Sequence, residues 1–292
     1  LSQGAKPGHG GMLPAAKITP AIAAARGIPM GEDCISPPHH TAFDDPVGLL
    51  EFVARLRELS GGKPTGFKLC IGHAWEFAAV VKAMLTTGLR PDFIVIDGKE
   101  GGTGAAPLEL LNRMGTPLTD GLIFARNMLI GAGLRPHIRL GASGKLVTAF
   151  DLARAMALGA DWCNSARGFM FAVGCIQAQT CHTNTCPTGV ATQDPWRQRA
   201  LVVADKAPRA AQFHRNTLKA LGTVLGSAGL DHPAALNAHH LFLRSNSGKV
   251  ERGNETYPEP APGAFAKDEP QDPFLHSAWR MAGPHQWQPV GI

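Results

Sequence analysis

Asp92–Asp97 reads DFIVID, four apolar residues between two aspartates, and the glycine-rich Gly98–Gly104 (GKEGGTG) follows at once. A short apolar run without polar alternation is a strand covered on both faces, and the glycines after it make a loop. Working upstream, Trp75–Thr87 has a helical pattern stopped by Gly88, and Gly66–Ile71 (GFKLCI) is a second apolar strand. Before it, Pro46–Leu59 carries Val47, Leu50, Val53 and Leu56 at helical spacing. Asp33–Ser36 is a brief strand running into Pro37, Pro38, His39 and His40, and Ile18–Gly27 is a short helix. Downstream, Leu108–Met114 and Gly121–Gly131 read as helical, His137–Gly141 as a strand, Thr148–Leu158 as a helix and Asp161–Ser165 as a strand.

Strands alternating with helices in this way are parallel βαβ units, so the fold class is α/β. Ligand-type residues fall where the strands end, which is the arrangement of the catalytic face of a TIM barrel. The five strands fall short of the eight that a closed barrel needs. The chain opens on Leu1, not Met, and so reads as a fragment of a longer protein. Residues 1–193 are expected to form the barrel portion and 194–245 a helical region. Residues 246–292, rich in Pro, Gly and charge, are expected to wrap or to be disordered, with Trp279 and Trp287 as surface anchors.

Half of the six cysteines lie in Gly174–Gln193, GCIQAQTCHTNTCPTGVATQ. Cys175, Cys181 and Cys186 are spaced C-x₅-C-x₄-C, with Pro187 directly after the last. Thiolates this close, in a chain with no sign of secretion, suit an iron–sulfur cluster better than a disulfide framework, and three ligands point to three irons. A zinc site with His182 as an added ligand, and no metal at all, stay open on spacing alone. Cys34, Cys70 and Cys163 read as small buried hydrophobes.

With 292 residues, 44% of them hydrophobic, the chain can bury a sizeable core. A net charge of +5 is mild, Lys and Arg are scattered, and there is one Tyr, so neither a phosphate-tracking groove nor a base-stacking platform for nucleic acid is indicated. The basic balance favours small anionic ligands. No segment reaches the ~18 apolar residues of a membrane span and no signal peptide is evident, so a soluble, cytoplasmic protein is expected.

The cysteine segment resembles the cluster segment of the glutamate synthases. Four further stretches, in order, are similar to that family's synthase domain: Gln3–Gly11 (QGAKPGHGG), Ile35–His40 (ISPPHH), Gly98–Pro107 (GKEGGTGAAP) and Gly141–Gly144 (GASG). The similarity covers about residues 2–230. It implies an FMN-binding (β/α)8 barrel of which this chain holds about strands four to eight, with Cys175, Cys181 and Cys186 holding a [3Fe–4S] cluster beside FMN. It further implies reductive amination of 2-oxoglutarate to L-glutamate, using ammonia or glutamine-derived ammonia. Electrons would come from ferredoxin or a pyridine-nucleotide-dependent reductase. An N-methylglutamate synthase-like subunit and a non-catalytic iron–sulfur electron carrier are the competing expectations.

Gly141–Gly144 and Ser165–Gly168 (SARG) stand at the loops that grip a phosphate in such barrels. Gly141, Ser143, Gly144, Ala166, Arg167 and Gly168 are therefore the expected FMN-phosphate contacts, Arg167 adding direct charge. The family usually has Gly-Gly where Ala142–Ser143 stands and Gly-Thr where Ala166–Arg167 stands. Lys68, a costly charge inside an apolar strand unless it faces the mouth and is paired, matches a lysine beside the flavin that would stabilise the reduced ring. Gly101 and Gly102 bring flexible backbone to the ring's edge, and Asp97 replaces the family's usual Ser. Gln3 and Lys6 match positions near the 2-oxoglutarate pocket, where Lys6 could pair with a carboxylate; Lys99 joins them as an expected substrate contact.

Overall fold

The computed structural model describes residues 12–102, 109–110, 112–244, 247–266 and 270–291. Its first elements are β1 (Met12–Leu13), α1 (Pro20–Arg26) and β2 (Cys34–Ile35). The strand expected at Asp33–Ser36 is present in its middle, but it pairs antiparallel with β1 and stays outside the parallel sheet. Pro37 and Pro38, which have no N–H to donate, follow it and limit any longer ladder.

The alternation read from the sequence then appears as α2 (Pro46–Leu59), β3 (Gly66–Leu69), α3 (Ala74–Thr87), β4 (Phe93–Asp97), α4 (Leu118–Gly131), β5 (Arg139–Ser143), α5 (Ala149–Ala157) and β6 (Trp162–Asn164). The four strands form one sheet in the order β3-β4-β5-β6, every pair parallel. Local chemistry sets the helix ends. Asp45 Oδ1 accepts the Gly48 N–H at 2.6 Å ahead of Pro46, and Thr148 with Asp151 caps α5 reciprocally. Gly88 closes α3 at φ 73°, a left-handed value that glycine adopts without strain. The helix expected at Leu108–Met114 is absent from its described residues, which turn instead; Asn112 takes φ 64°.

The sheet has two unlike faces. Phe67, Ile94, Ile96, Leu140 and Ala142 point to one side and are buried in a single core with residues of α2, α3, α4 and α5. Each large side chain buried there contributes roughly 1.5–3 kcal/mol. The other face carries Lys68, Val95, Asp97, Gly141, Ser143, Trp162 and Asn164, placed together by the register Lys68↔Val95↔Gly141↔Trp162 and Asp97↔Ser143↔Asn164. Gly141 is required beneath Trp162, because a Cβ there would lie 2.6 Å from the indole ring.

Beyond β6 come α6 (Arg167–Ala172), α7 (Pro195–Gln198) and the long α8 (Val203–Ser227), whose Leu221 and Leu225 pack against Ala149 and Ala153 of α5. Where one short helix was expected at Pro233–Leu243, two single 3₁₀ turns, Pro233–Ala235 and Ala238–His240, lead into β7 (Phe242–Arg244), which pairs with β8 (Val250–Arg252). His232 and Asn237 each cap a new turn and so split the helix. After α9 (Gly253–Thr256) the Pro-rich tail wraps. Phe265 seats on Gly131 of α4, and α10 (Pro273–Met281) lies on α3. Trp279 packs beside Phe265 under the Lys82 ammonium, and Trp75 Nε1 donates to the Trp287 carbonyl at 3.2 Å. The buried Arg126 holds the tail with an ion pair to Glu259 at 3.3 Å.

Candidate functional site

The C-terminal ends of β3–β6 collect the polar groups of the open face. Lys68, in the middle of β3, reaches across to Asp97, the last residue of β4, with Nζ 2.8 Å from Oδ2. The carboxylate is 1% exposed and the lysine side chain 41%. The contact is off the hydrogen-bond direction, and neither carboxylate oxygen has an aligned donor among the described residues. The Gly98–Gly102 loop folds over the pair. Gly101 has to be glycine, since a Cβ there would lie 2.1 Å from Asp97 Oδ1. Gly98 N donates to Ser143 O at 2.8 Å and ties this loop to the end of β5.

Beside the pair, the loops after β4, β5 and β6 enclose a small cavity of about 50 Å³. Gly101, Gly102, Ser143, Gly144, Ala166 and Arg167 all line it, and Lys145 brings a second cation and Glu100 a carboxylate to the same wall. Two expected contacts lie elsewhere: Gly141 sits within β5 under Trp162, and Gly168 packs in α6 against Phe213, where a Cβ would be 2.5 Å from the ring. Lys99 is half-buried on the loop after β4, its N–H bonded to Thr116 O at 2.9 Å. Gln3 and Lys6 lie outside the described residues.

Cys175, Cys181 and Cys186 face one tight hollow, and none is in a disulfide. Among the described residues no group of three or more His, Cys, Asp or Glu side chains converges as a single-ion site does. The backbone around the thiols takes left-handed values at Gln177 (φ 57°) and Gln179 (φ 56°), which such residues adopt rarely, and at Asn184 (φ 64°), which adopts them readily. Gln177 N–H points at Cys175 Sγ at 3.5 Å. Burial of Cys186 raises its thiol pKa, but hydrogen bonds from Thr188 Oγ1 and from the backbone around Ala191, Thr188 and Val190 outweigh it, and the net shift is downward, toward thiolate. Thr180 Oγ1, on the wall of the hollow, is buried with no partner among the described residues. Cys163 differs: burial pushes its thiol up to about 12.

Sequence reasoning missed three residues that organise these places. Met170 of α6 walls both the glycine-loop cavity and the thiol hollow. Asn184 Nδ2 donates to Ala16 O at 3.0 Å while its Oδ1 accepts from Thr192 and Gln193. Lys17 reaches the carbonyls of Cys181 and Ala191. A position in a cysteine segment or a lone lysine far upstream carries no signal of such contacts.

A family model described as the conserved region in glutamate synthase matches residues 1–231. The glutamate synthase large subunit-like protein YerD of Bacillus subtilis is 41% identical over 250 residues, 86% of this chain and 47% of that one. The archaeal-type glutamate synthase [NADPH] of Thermotoga neapolitana is 34% identical over 246 residues, 84% of this chain and 48% of that one. A ferredoxin-dependent glutamate synthase of Pyropia yezoensis is 34% identical over 257 residues, 87% of this chain and 16% of that one. The chain thus spans about half the length of the first two relatives. Among solved structures, a mutant flavocytochrome b2 with pyruvate bound overlaps 74% of this chain and 40% of its own at a TM-score of 0.40 and 12% identity, a likeness too low to bear on the fold.

Proposed function

The chain belongs to the glutamate synthase family, and from that premise we propose that it carries the cofactor-binding part of a glutamate synthase-type oxidoreductase that forms L-glutamate from 2-oxoglutarate and ammonia. We read the parallel sheet as an arc of an FMN-binding (β/α)8 barrel with the Lys68 face turned inward. In support of this, helices cover the apolar face, while small and polar residues gather on the other face at the strand ends, where barrel enzymes keep their chemistry.

The residues present fit the two implied groups. An ammonium held by a buried carboxylate stands at the mouth, next to a small cavity lined by glycines, Arg167, Lys145 and the carboxylate of Glu100, whose two cations suit a flavin phosphate. Three thiols around one hollow, one of them with a lowered pKa and an orphaned hydroxyl beside them, suit a cluster. When bound, FMN supplies a hydride-donating ring and a [3Fe–4S] cluster a one-electron relay. Within that scheme Lys68 presents positive charge to the ring and Asp97 holds it in place. Arg167 and Lys145 would supply the positive charge, and Ser143, Gly144 and Ala166 the small-residue backbone, that hold a phosphate there. Lys99, together with Gln3 and Lys6, is the proposed contact for the substrate carboxylates. Electrons are proposed to enter from ferredoxin or an NADPH-dependent reductase, in keeping with the names of the relatives.

The observation that carries the reading is Met170, a residue that lines both the cavity suited to a flavin phosphate and the hollow suited to iron and sulfide. The test is anaerobic purification followed by iron, sulfide and flavin analysis, EPR of the oxidised protein and an assay of glutamate formation. Iron and FMN are expected together, and Cys181→Ser is expected to remove the iron signal. Colourless protein without iron or flavin would overturn the proposal.

A further inference from the structure

Lys17 is the last residue of the 3₁₀ turn Ala15–Lys17, and its ammonium enters the cysteine segment from 164 residues away in sequence. Nζ donates to the carbonyl oxygen of Cys181 and, at 3.0 Å, to that of Ala191. These two carbonyls begin and end the loop that holds Cys186, so one side chain closes the loop like a pin. Asn184 adds a second tie from the same loop to the same turn, through Nδ2 to Ala16 O at 3.0 Å. Lys17 is half-buried and, among the described residues, has no carboxylate within ion-pair distance. A partly buried ammonium whose protein acceptors are two neutral carbonyls is favoured further when an anion completes its surroundings. The nearest source of such an anion is the thiol hollow itself: three thiolates around ferric iron and sulfide carry net negative charge.

We infer that Lys17 is a positioning residue of the cluster site, which clamps the Cys181–Ala191 loop and compensates the negative charge of the loaded thiolates. The inference rests on the cluster reading above and assigns the role to a residue remote from the cysteine motif. Fixed positive charge favours the more negative, reduced state of a redox centre. Removing it therefore lowers the reduction potential, and replacing it with another cation restores it.

The experiment compares anaerobically purified parent, Lys17→Met and Lys17→Arg, read by iron per chain, FMN per chain and an EPR-monitored redox titration. Lys17→Met is expected to lower iron content several-fold at unchanged FMN. In the molecules that keep iron, the reduced-to-oxidised ratio at fixed potential is expected to fall about tenfold, or about 59 mV for a one-electron couple. Lys17→Arg should recover the potential, which a merely space-filling role would not predict. Lys17→Met with parental iron content and potential overturns the inference and leaves the cluster reading intact. Parent protein without iron overturns both. Loss of FMN together with iron in Lys17→Met means general misfolding, and Lys17→Arg then decides: parental potential upholds the charge role, and a potential shifted away from the parent sinks it.

Discussion

At the scale of single residues, the Lys68–Asp97 pair decides more than any other contact. GFKLCI announces its own problem, because a lysine among apolar strand residues has to find a partner. The sequence alone could not say which, since Asp97 ends the neighbouring strand and its side chain shares a face with Lys68 only once the register is set. Asp97 is the less forgiving member, being 1% exposed. Lys68→Met leaves that carboxylate buried without a counter-ion, and breaking a buried pair from one side costs about 3 kcal/mol. The exposed lysine end puts this case at the low end of that range. Adding Asp97→Asn should return much of the loss, because the double variant buries no charge. Urea unfolding of the two single variants and the double variant measures the coupling directly. Strict additivity would mean that the pair holds nothing together.

At the scale of elements, β4 and most helices were legible because their signals are local: an unbroken apolar run, Val47, Leu50, Val53 and Leu56 at helical spacing, Gly88 after Thr87. What escaped depends on partners distant in the chain. β2 is extended as its residues demand, but whether it joins the parallel sheet or β1 is settled by pairing. The Pro-rich tail looks unable to pack until Gly131 offers Phe265 a flat seat. The ends of the elements are fastened by similar long-range contacts. Asp92, at the start of β4, accepts from Thr65 N at 2.7 Å and from Arg57 of α2 at 2.9 and 3.0 Å, joining α2, β3 and β4. Burial opposes its charge, but these donors prevail and hold the carboxyl below its ordinary value of 3.8. A depressed folded-state pKa gives stability that is complete above the ordinary value and is lost as the pH falls through the folded one. Asp92→Asn should therefore cost about 1 kcal/mol at pH 7, a figure already reduced for partial exposure. The gap between variant and parent should close at a pH well below the ordinary value of 3.8. Denaturant melts at the two pH values provide the check, and a gap that persists in acid would rule out the ionised carboxylate as its source.

At the scale of the whole molecule, the question is what covers the second face of the sheet. Parallel sheets occur with both faces buried, since their crossovers place helices or a closed barrel interior against each side. Here α2, α3, α4 and α5 pack against one side. The other side carries the charged pair and the half-buried rings of Phe93 and Trp162, which meet edge to face, and both outer strands, β3 and β6, lack a further partner among the described residues. A barrel arc behaves in this way, because its inner face becomes a core only when the ring closes. Residues 1–292 expressed alone should then bind a hydrophobic dye such as ANS and melt over a broad range. They should self-associate through the unpaired strand edges as concentration rises. Dye binding, calorimetry and sedimentation at several concentrations measure each of these. A sharp, concentration-independent melt without dye binding would mean that the sheet is already covered on both faces, and the barrel reading would have to be abandoned in favour of a self-sufficient α/β domain.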